Sequence, residues 1–249
     1  MSIKKANYFI GRETFKSAKI FTLIILLLTA FFFTISLIFS DSEGTVTNGL
    51  DMSIIIYSFI LGLTAYSSYV KMLFQNGISR KTTWLSITSV FIMLSIAFSV
   101  IFVLLFEILT VLFGLYSNII FTSFSADLVG RFFPNMNYIL GVLLKILITF
   151  VCLLFAGEIG FATGTLFKIL NKKWKIIIFA GVPALLLVVF PIFFAFMGNH
   201  LYSRFFIGLM HFLFGVKFSI ARSLISLSIL SLIFMFLSRL LMSKVQIDD

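Results

Sequence analysis

Two carboxylates inside long apolar stretches are the side chains of this chain that are best placed to do chemistry. Glu158 lies in the apolar stretch 138–167, and Glu107 lies in the stretch 84–114. An ionisable group at membrane depth is costly to bury, so its presence indicates a functional site by default. Two alternatives stay open for Glu158, a watery cavity or packing against another helix. Glu107 either marks where its stretch leaves the hydrocarbon or lines an outer gate.

Small residues follow one face of the helix predicted around Glu158. Ala156, Gly160 and Gly164 recur at intervals of four, which places them on one side of a helix and allows close contact with a neighbour. Glu158 is two positions from Ala156, so we expect it to point away from that face, toward another helix or a lumen. Lys145 lies near the other end of the same stretch, where a lysine can snorkel to the membrane surface.

Other catalytic chemistry finds no support in the sequence. His200 and His211 are eleven residues apart and have no carboxylate at metal-ligand spacing, so no metal site is expected. The chain contains neither a His-Glu-x-x-His zinc motif nor a Gly-x-Ser-x-Gly elbow, which argues against an enzyme. It also lacks the Gly-x-x-x-x-Gly-Lys-Ser/Thr phosphate loop, so any ATP that drives it must be bound by another polypeptide. The lone Cys152 excludes a disulfide within the chain.

The composition is that of a polytopic membrane protein. Of the 249 residues 61% are hydrophobic and only 11% are charged, and the mean hydropathy is +1.16. Soluble domains carry about a quarter charged residues. The net charge of +10 comes from Lys and Arg that recur between apolar stretches. This distribution predicts orientation in the membrane and attraction to anionic lipid, and it disfavours nucleic acid as a partner.

The apolar stretches predict an all-α fold with six transmembrane helices, since a span needs about 20 apolar residues. Residues 1–19 mix charged and aromatic side chains and predict an amphipathic interfacial helix ahead of a transmembrane domain, residues 20–249. The third stretch is too long for an upright helix, so it tilts, projects outward or breaks near Glu107. The apolar core 205–216 is short, which predicts a re-entrant segment between spans five and six. The six predicted spans are 20–40, 52–73, 84–114, 138–167, 176–197 and 219–241.

The positive residues orient this arrangement. Fourteen of the nineteen Lys and Arg residues fall on the side that holds both termini, and positive residues collect on the cytoplasmic side. Both termini are therefore expected in the cytoplasm. We see no convincing inverted repeat between the two halves, which weakens the case for many secondary-transporter folds.

A short basic interruption between the second and third spans, residues 71–83, is the most distinctive segment. Asn76-Gly77 is a turn signal, and Ser79 is placed to cap the next helix. Such a bend, held at the membrane surface by two helices, can receive a push from a soluble partner. The residues predicted to couple to that partner are Phe74, Gln75, Asn76, Gly77, Ile78, Ser79, Arg80 and Lys81.

At residues 74–81, Phe-Gln-Asn-Gly-Ile-Ser-Arg-Lys, the chain resembles permeases of the ABC type-2 transporter class from low-GC Gram-positive bacteria. The predicted layout is similar to that class over nearly the whole chain. The resemblance implies a homodimer in the bacterial cytoplasmic membrane, in which each copy meets one ATPase subunit through the coupling helix 71–83. ATP and Mg would be bound by the two ATPase subunits, so no cofactor is expected in this chain.

The same resemblance implies a class of cargo. Small, Phe-rich permeases of this type are similar to exporters of peptides, including amphipathic toxins and antimicrobial peptides. Two alternatives stay open: a membrane immunity or sensor protein that binds peptides without moving them, and a gradient-driven secondary transporter in which Glu158 is essential.

Overall fold

The computed structural model describes residues 3–38, 46–47, 50–116, 120–121, 123–177 and 220–245. Within these ranges the chain is almost entirely helical, and five helices are long and apolar enough to cross a membrane. The chain is therefore an all-α, multi-pass membrane protein. The predicted fifth span beyond residue 177 and the predicted re-entrant core 205–216 lie outside the described residues.

The N-terminal part is one continuous helix, α1, Ile3–Ile38. The sequence predicted an interfacial helix that ends at residue 19 and a span that begins at residue 20, but the structure has no break at that boundary. The first part of α1 packs lengthwise along the bundle, because Thr14 and Ser17 both contact tyrosines of the second span. An interfacial position for residues 1–19 stays a prediction.

The second span is built from α2, Leu50–Ala65, a π-helical turn, Tyr66–Val70, and α3, Lys71–Gln75. After a tight turn, α4 runs without interruption over Arg80–Tyr116. At about 1.5 Å per residue its 37 residues reach about 55 Å, far more than the roughly 30 Å of a hydrocarbon core. The helix continues through Glu107, so the predicted alternative of a break there is wrong.

A small layer covers the end of the bundle that lies away from residues 71–83. It contains the two-residue strands β1, Val46–Thr47, and β2, Ile120–Phe121, paired in parallel, and the helix α5, Phe124–Phe132. The Ser123 hydroxyl caps α5 by accepting from the backbone N–H of Ala126 at 3.1 Å. The sequence analysis predicted no helix between the third and fourth spans, so it missed this short helix.

The remaining described helices are α6, Tyr138–Ile169, α7, Lys172–Ile176, and α8, Ile220–Lys244. α6 is central and contacts α2, α4 and α8. It runs parallel to α2, since Ser58 bonds to Leu153 and Gly62 packs on Gly157. α8 runs antiparallel to α4, because Arg80 at the start of α4 bonds to Ser243 near the end of α8.

This arrangement gathers most of the positive residues of the described helices at one end, with Lys145 and Arg222 among the exceptions. That end, here called the basic end, holds residues 71–83, the start of α1, the end of α6 with α7, and the end of α8. The buried apolar residues that the structure describes form three clusters. One surrounds Leu73 and Phe161 toward the basic end, one surrounds Phe98 and Phe102, and a smaller one contains Val129 and Ile148 beside α5.

Candidate functional site

The segment 71–83, here called the basic turn, has a defined backbone geometry. Gly77 adopts a positive φ of 70°, a conformation that glycine reaches without steric cost. The N–H groups of Gly77 and Ile78 donate to the carbonyls of Phe74 and Leu73 at 2.9 and 3.1 Å. The Ser79 hydroxyl then caps α4 by accepting from the N–H of Thr82 at 3.2 Å. The turn and the cap lie where the sequence indicated them.

The eight predicted coupling residues divide into an inner and an outer set. Phe74 and Ile78 are buried and belong to the cluster that contains Ala6 and Ile10 of α1. The other six are exposed at the basic end, and they are Gln75, Asn76, Gly77, Ser79, Arg80 and Lys81. The basic turn therefore presents a polar outer surface on an apolar base.

The last turns of α8 are fastened to the base of the basic turn. The Arg80 guanidinium donates to the carbonyl oxygen of Ser243 at 2.6 Å. The Trp84 indole N–H donates to the Ser238 hydroxyl at 3.1 Å, and the Arg239 guanidinium lies 5.5 Å from the centre of the Trp84 ring. The sequence analysis missed these contacts. A signal was present: Trp84 and Arg239 both lie at the cytoplasmic ends of their predicted spans, and a guanidinium group often packs on an indole ring.

The start of α1 meets the basic turn from another side. The Thr14 hydroxyl and the Tyr69 hydroxyl are 3.1 Å apart, and Tyr69 belongs to the π-helical turn that leads into α3. Farther along, Phe21 stacks on Tyr57 with ring centres 3.9 Å apart. The basic turn is thus held by the beginning of α1, the end of α8 and the first turns of α4.

Glu158 is the most unusual side chain in the bundle. It is 1% exposed, and neither carboxyl oxygen has a hydrogen-bond partner among the described residues. On either side of it along α6, Phe155 contacts Phe234 of α8 and Phe161 contacts Phe91 of α4. Glu158 therefore faces packed helices and not an open lumen.

Hydroxyl groups of α4 share this isolation. The Thr88 hydroxyl lies beside the Glu158 carboxyl, and the buried hydroxyls of Thr83 and Ser86 have no hydrogen-bond partner in the part of the chain that the structure describes. Buried polar groups normally have hydrogen-bond partners, so a buried group without one needs an explanation. A functional role is one such explanation. Glu158 and these hydroxyl groups of α4 lie in the half of the bundle that contains the basic turn.

The small residues on α6 lie against the backbone of α2. A side chain added at Gly160 would meet the Phe59 carbonyl, and one added at Gly164 would meet the backbone of Leu63. Ala156 is also buried. Gly62 of α2 faces the Gly157 carbonyl in the same way, a pair that the spacing rule did not single out.

Glu107 is paired with Lys145. The Lys145 ammonium group lies 2.5 Å from a Glu107 carboxylate oxygen, and the Tyr138 hydroxyl donates to the other oxygen at 3.1 Å. The sequence analysis assigned the two residues separate roles. Glu107 lies sixteen residues after Phe91, and Lys145 lies sixteen residues before Phe161. Because Phe91 contacts Phe161, the antiparallel register of α4 and α6 brings the two charges together.

Asp51 is a second carboxylate that the sequence analysis did not single out. It lies at the start of α2, is 5% exposed, and accepts a hydrogen bond from the N–H of Phe124 at the start of α5. A carboxylate between two helix N-termini is favoured by both helix dipoles. Asp51 therefore connects α5 to the start of α2.

No group of three His, Cys, Asp or Glu residues that would hold a metal occurs in the part of the chain that the structure describes. His200 and His211 lie outside those residues. Comparison with known proteins gives no further assignment: no family model matches the chain, and no curated protein or solved structure matches it.

Proposed function

We propose that this chain is the membrane-spanning permease subunit of an ATP-driven ABC exporter of the type-2 class. The single observation that supports this most is the basic turn, a polar surface at the end of the bundle whose apolar base joins α1, α4 and α8. A force applied to that surface reaches three helices at once. The proposal keeps six spans with both termini in the cytoplasm of a bacterium, and the basic end faces the cytoplasm because positive residues collect there.

The proposed mechanism needs an engine outside the chain. Two ATPase subunits bind ATP and Mg and move together when the nucleotide is bound. Each pushes the exposed residues of one basic turn, and the buried Phe74 and Ile78 pass the movement to the start of α1. Because α4 is a single helix of 37 residues, a displacement at Arg80 is carried to the opposite end of the bundle.

The proposed cargo is an amphipathic or hydrophobic peptide, moved out of the cell between two copies of the chain. Phenylalanine makes up 34 of the 249 residues, and aromatic walls offer contact area without unpaired polar groups. Many apolar side chains of the described helices are exposed, among them Leu27 and Phe31 of α1 and Ile56 and Ile60 of α2. These surfaces are available to lipid, a second copy or cargo.

The test is co-purification of a nucleotide-binding partner with the tagged full-length chain after gentle solubilisation. Lys81→Glu reverses the charge of an exposed turn residue, and we expect it to release the ATPase and stop ATP-dependent peptide export. Lys173→Glu makes the same charge change on α7 at the basic end and is the matched control. If no stoichiometric nucleotide-binding protein accompanies the wild-type chain, the proposal is wrong.

One observation favours a second candidate, a gradient-driven transporter: the unpartnered Glu158 within the bundle. The variant Glu158→Gln separates the two functions, since it keeps the side-chain size and removes the ionisable group. The ABC exporter retains ATP-dependent peptide export in this variant. A gradient-driven transporter loses transport and does not respond to ATPase depletion.

A further inference from the structure

A groove opens between α2 and α6 near the basic end. Its volume is about 340 Å³, and residues from the π-helical turn and from the last turn of α6 line it. Leu63 and Phe167 on its walls are 37% and 42% exposed, so the groove opens on the surface of the bundle, where the membrane lies. None of the roles proposed above uses it.

The groove begins where the close contact of the two helices ends. The backbone of Leu63 touches both Gly160 and Gly164, which leaves no space between α2 and α6 at that level. One turn later α2 enters its π-helical turn, Tyr66–Val70, and α6 carries the large side chains of Phe167 and Lys168. π-helical turns inside helices are frequent at functional sites.

The chemistry of the groove is amphipathic. The hydroxyls of Thr64 and Ser67 already donate to carbonyls of their own helix, at 2.9 Å each, so they offer no donor to a ligand. Among the lining residues that the structure describes, Lys168 alone is positively charged, and its ammonium group lies 5.9 Å from the centre of the Tyr66 ring.

A second ammonium group lies close to the groove. The Lys175 ammonium is 4.9 Å from the centre of the Phe167 ring. Within the described ranges no carboxylate forms an ion pair with either Lys168 or Lys175. An apolar channel with unpaired positive charge at its mouth fits a ligand that joins an anionic group to a hydrocarbon chain.

We propose that this groove binds one anionic phospholipid, with its phosphate at Lys168 and an acyl chain along Leu63 and Phe167. Basic pockets between membrane helices on the cytoplasmic side bind anionic headgroups. Trp174, 56% exposed and six residues after Lys168, is of the residue type that marks the membrane surface, so Lys168 lies at headgroup depth.

The charges favour an anionic lipid over two other occupants, a second copy of the chain and a cationic peptide. A second copy of the chain docked symmetrically through this groove would place the Lys168 residues of both copies in one apolar interface, where like charges repel. A cationic peptide cargo would meet the same repulsion. An anionic headgroup neutralises the site.

The experiment is a native mass spectrometry titration of the purified full-length chain with palmitoyl-oleoyl-phosphatidylglycerol, compared with palmitoyl-oleoyl-phosphatidylcholine. We expect one tightly bound phosphatidylglycerol, held at least fivefold more strongly than phosphatidylcholine. Lys168→Gln should weaken phosphatidylglycerol binding about fivefold, which corresponds to the roughly 1 kcal/mol expected for one lysine at an anionic surface. Lys168→Arg should retain binding.

Lys244→Gln is the matched control, because it removes an exposed lysine at the same end of the bundle outside the groove. It should leave the affinity unchanged, and an unchanged thermal midpoint without lipid verifies that each variant is folded. Equal binding of both lipids overturns the proposal, as does equal affinity of the wild type and Lys168→Gln. A disulfide between the cysteines of two Ser67→Cys copies, formed while no lipid is bound in the groove, would show that a second copy occupies it and would also overturn the proposal. None of these outcomes depends on whether an ATPase binds the chain.

Discussion

The ammonium group of Lys145 and the carboxylate of Glu107 contact each other between α4 and α6, with side chains only 17% and 18% exposed. At this burial the two charges depend on each other. Removing one partner leaves the other in an apolar surrounding, whereas removing both costs far less. The exposed pair Lys16–Glu13 on α1, with side chains 58% and 40% exposed, offers a comparison within the same chain.

We predict that Lys145→Met destabilises the folded protein by about 1–3 kcal/mol, because among the described residues the Glu107 carboxylate then keeps the Tyr138 hydroxyl as its one partner. The double variant Lys145→Met/Glu107→Gln should recover most of that loss. Lys16→Met should change stability by less than about 0.5 kcal/mol, since exposed pairs contribute little. Thermal unfolding in one detergent measures all three. A double variant no more stable than the single one would show that the pair is not coupled.

Among the helices that the structure describes, α2 and α6 approach each other most closely. Gly62, Gly160 and Gly164 each lie against backbone atoms of the facing helix, so no side chain separates the two helices at these positions. Small residues permit such an approach between membrane helices, and the contact then depends on van der Waals packing.

Gly160→Ala is predicted to destabilise the protein by about 1–3 kcal/mol, because the added Cβ would overlap the Phe59 carbonyl and force the helices apart. Gly11→Ala is the matched control. Gly11 lies within α1 with no heavy atom near an added Cβ, so alanine there should be neutral or stabilise the helix by up to about 1 kcal/mol. Similar unfolding midpoints for the two variants would contradict the close approach of α2 and α6.

The sequence predicted those helices and turns that are defined by residues close together in the chain. Apolar length predicted helices where α2, α4, α6 and α8 lie, and Asn76-Gly77 with Ser79 predicted the turn. What could not be predicted is which helices meet. Glu107 and Lys145 were each given a separate role, because pairing across α4 and α6 depends on a register that one sequence does not contain.

Two further features were not visible in the sequence, for physical reasons. The boundary at residue 19 was predicted from a change in charge and aromatic content. Helix propensity does not change there, so α1 continues through it as one helix. Asp51 was passed over, because its role comes from the start of α5, which lies 73 residues away in the sequence. Glu158 was found from residue type alone, but its closed surroundings required the packing of α4 and α8.

For the molecule as a whole, the basic end and the α5 end must lie on opposite sides of the membrane. In a Cys152→Ala background, Gln75→Cys reports on the basic turn and Asn135→Cys on the exposed turn after α5. We predict that a membrane-impermeant thiol reagent added to intact cells labels Asn135→Cys and spares Gln75→Cys.

After the cells are opened, both cysteines should react, which controls for the reactivity of each site. Labelling of Gln75→Cys in intact cells would place the basic turn outside, where no cytoplasmic ATPase can reach it.

The backbone contact between α2 and α6 has a consequence for how this bundle can move. At the glycine positions the two helices touch through backbone atoms, so no side chain there can change its rotamer to let one helix slide along the other. We therefore expect α2 and α6 to move together as one rigid unit. α8 is held by side chains instead: it contacts Trp84 of α4 and packs Phe234 against Phe155 of α6, while Ile229, Leu232 and Phe236 are exposed. Conformational change in this protein should therefore leave the α2–α6 pair intact, and any movement of α8 has to break its contacts with Trp84 and Phe155.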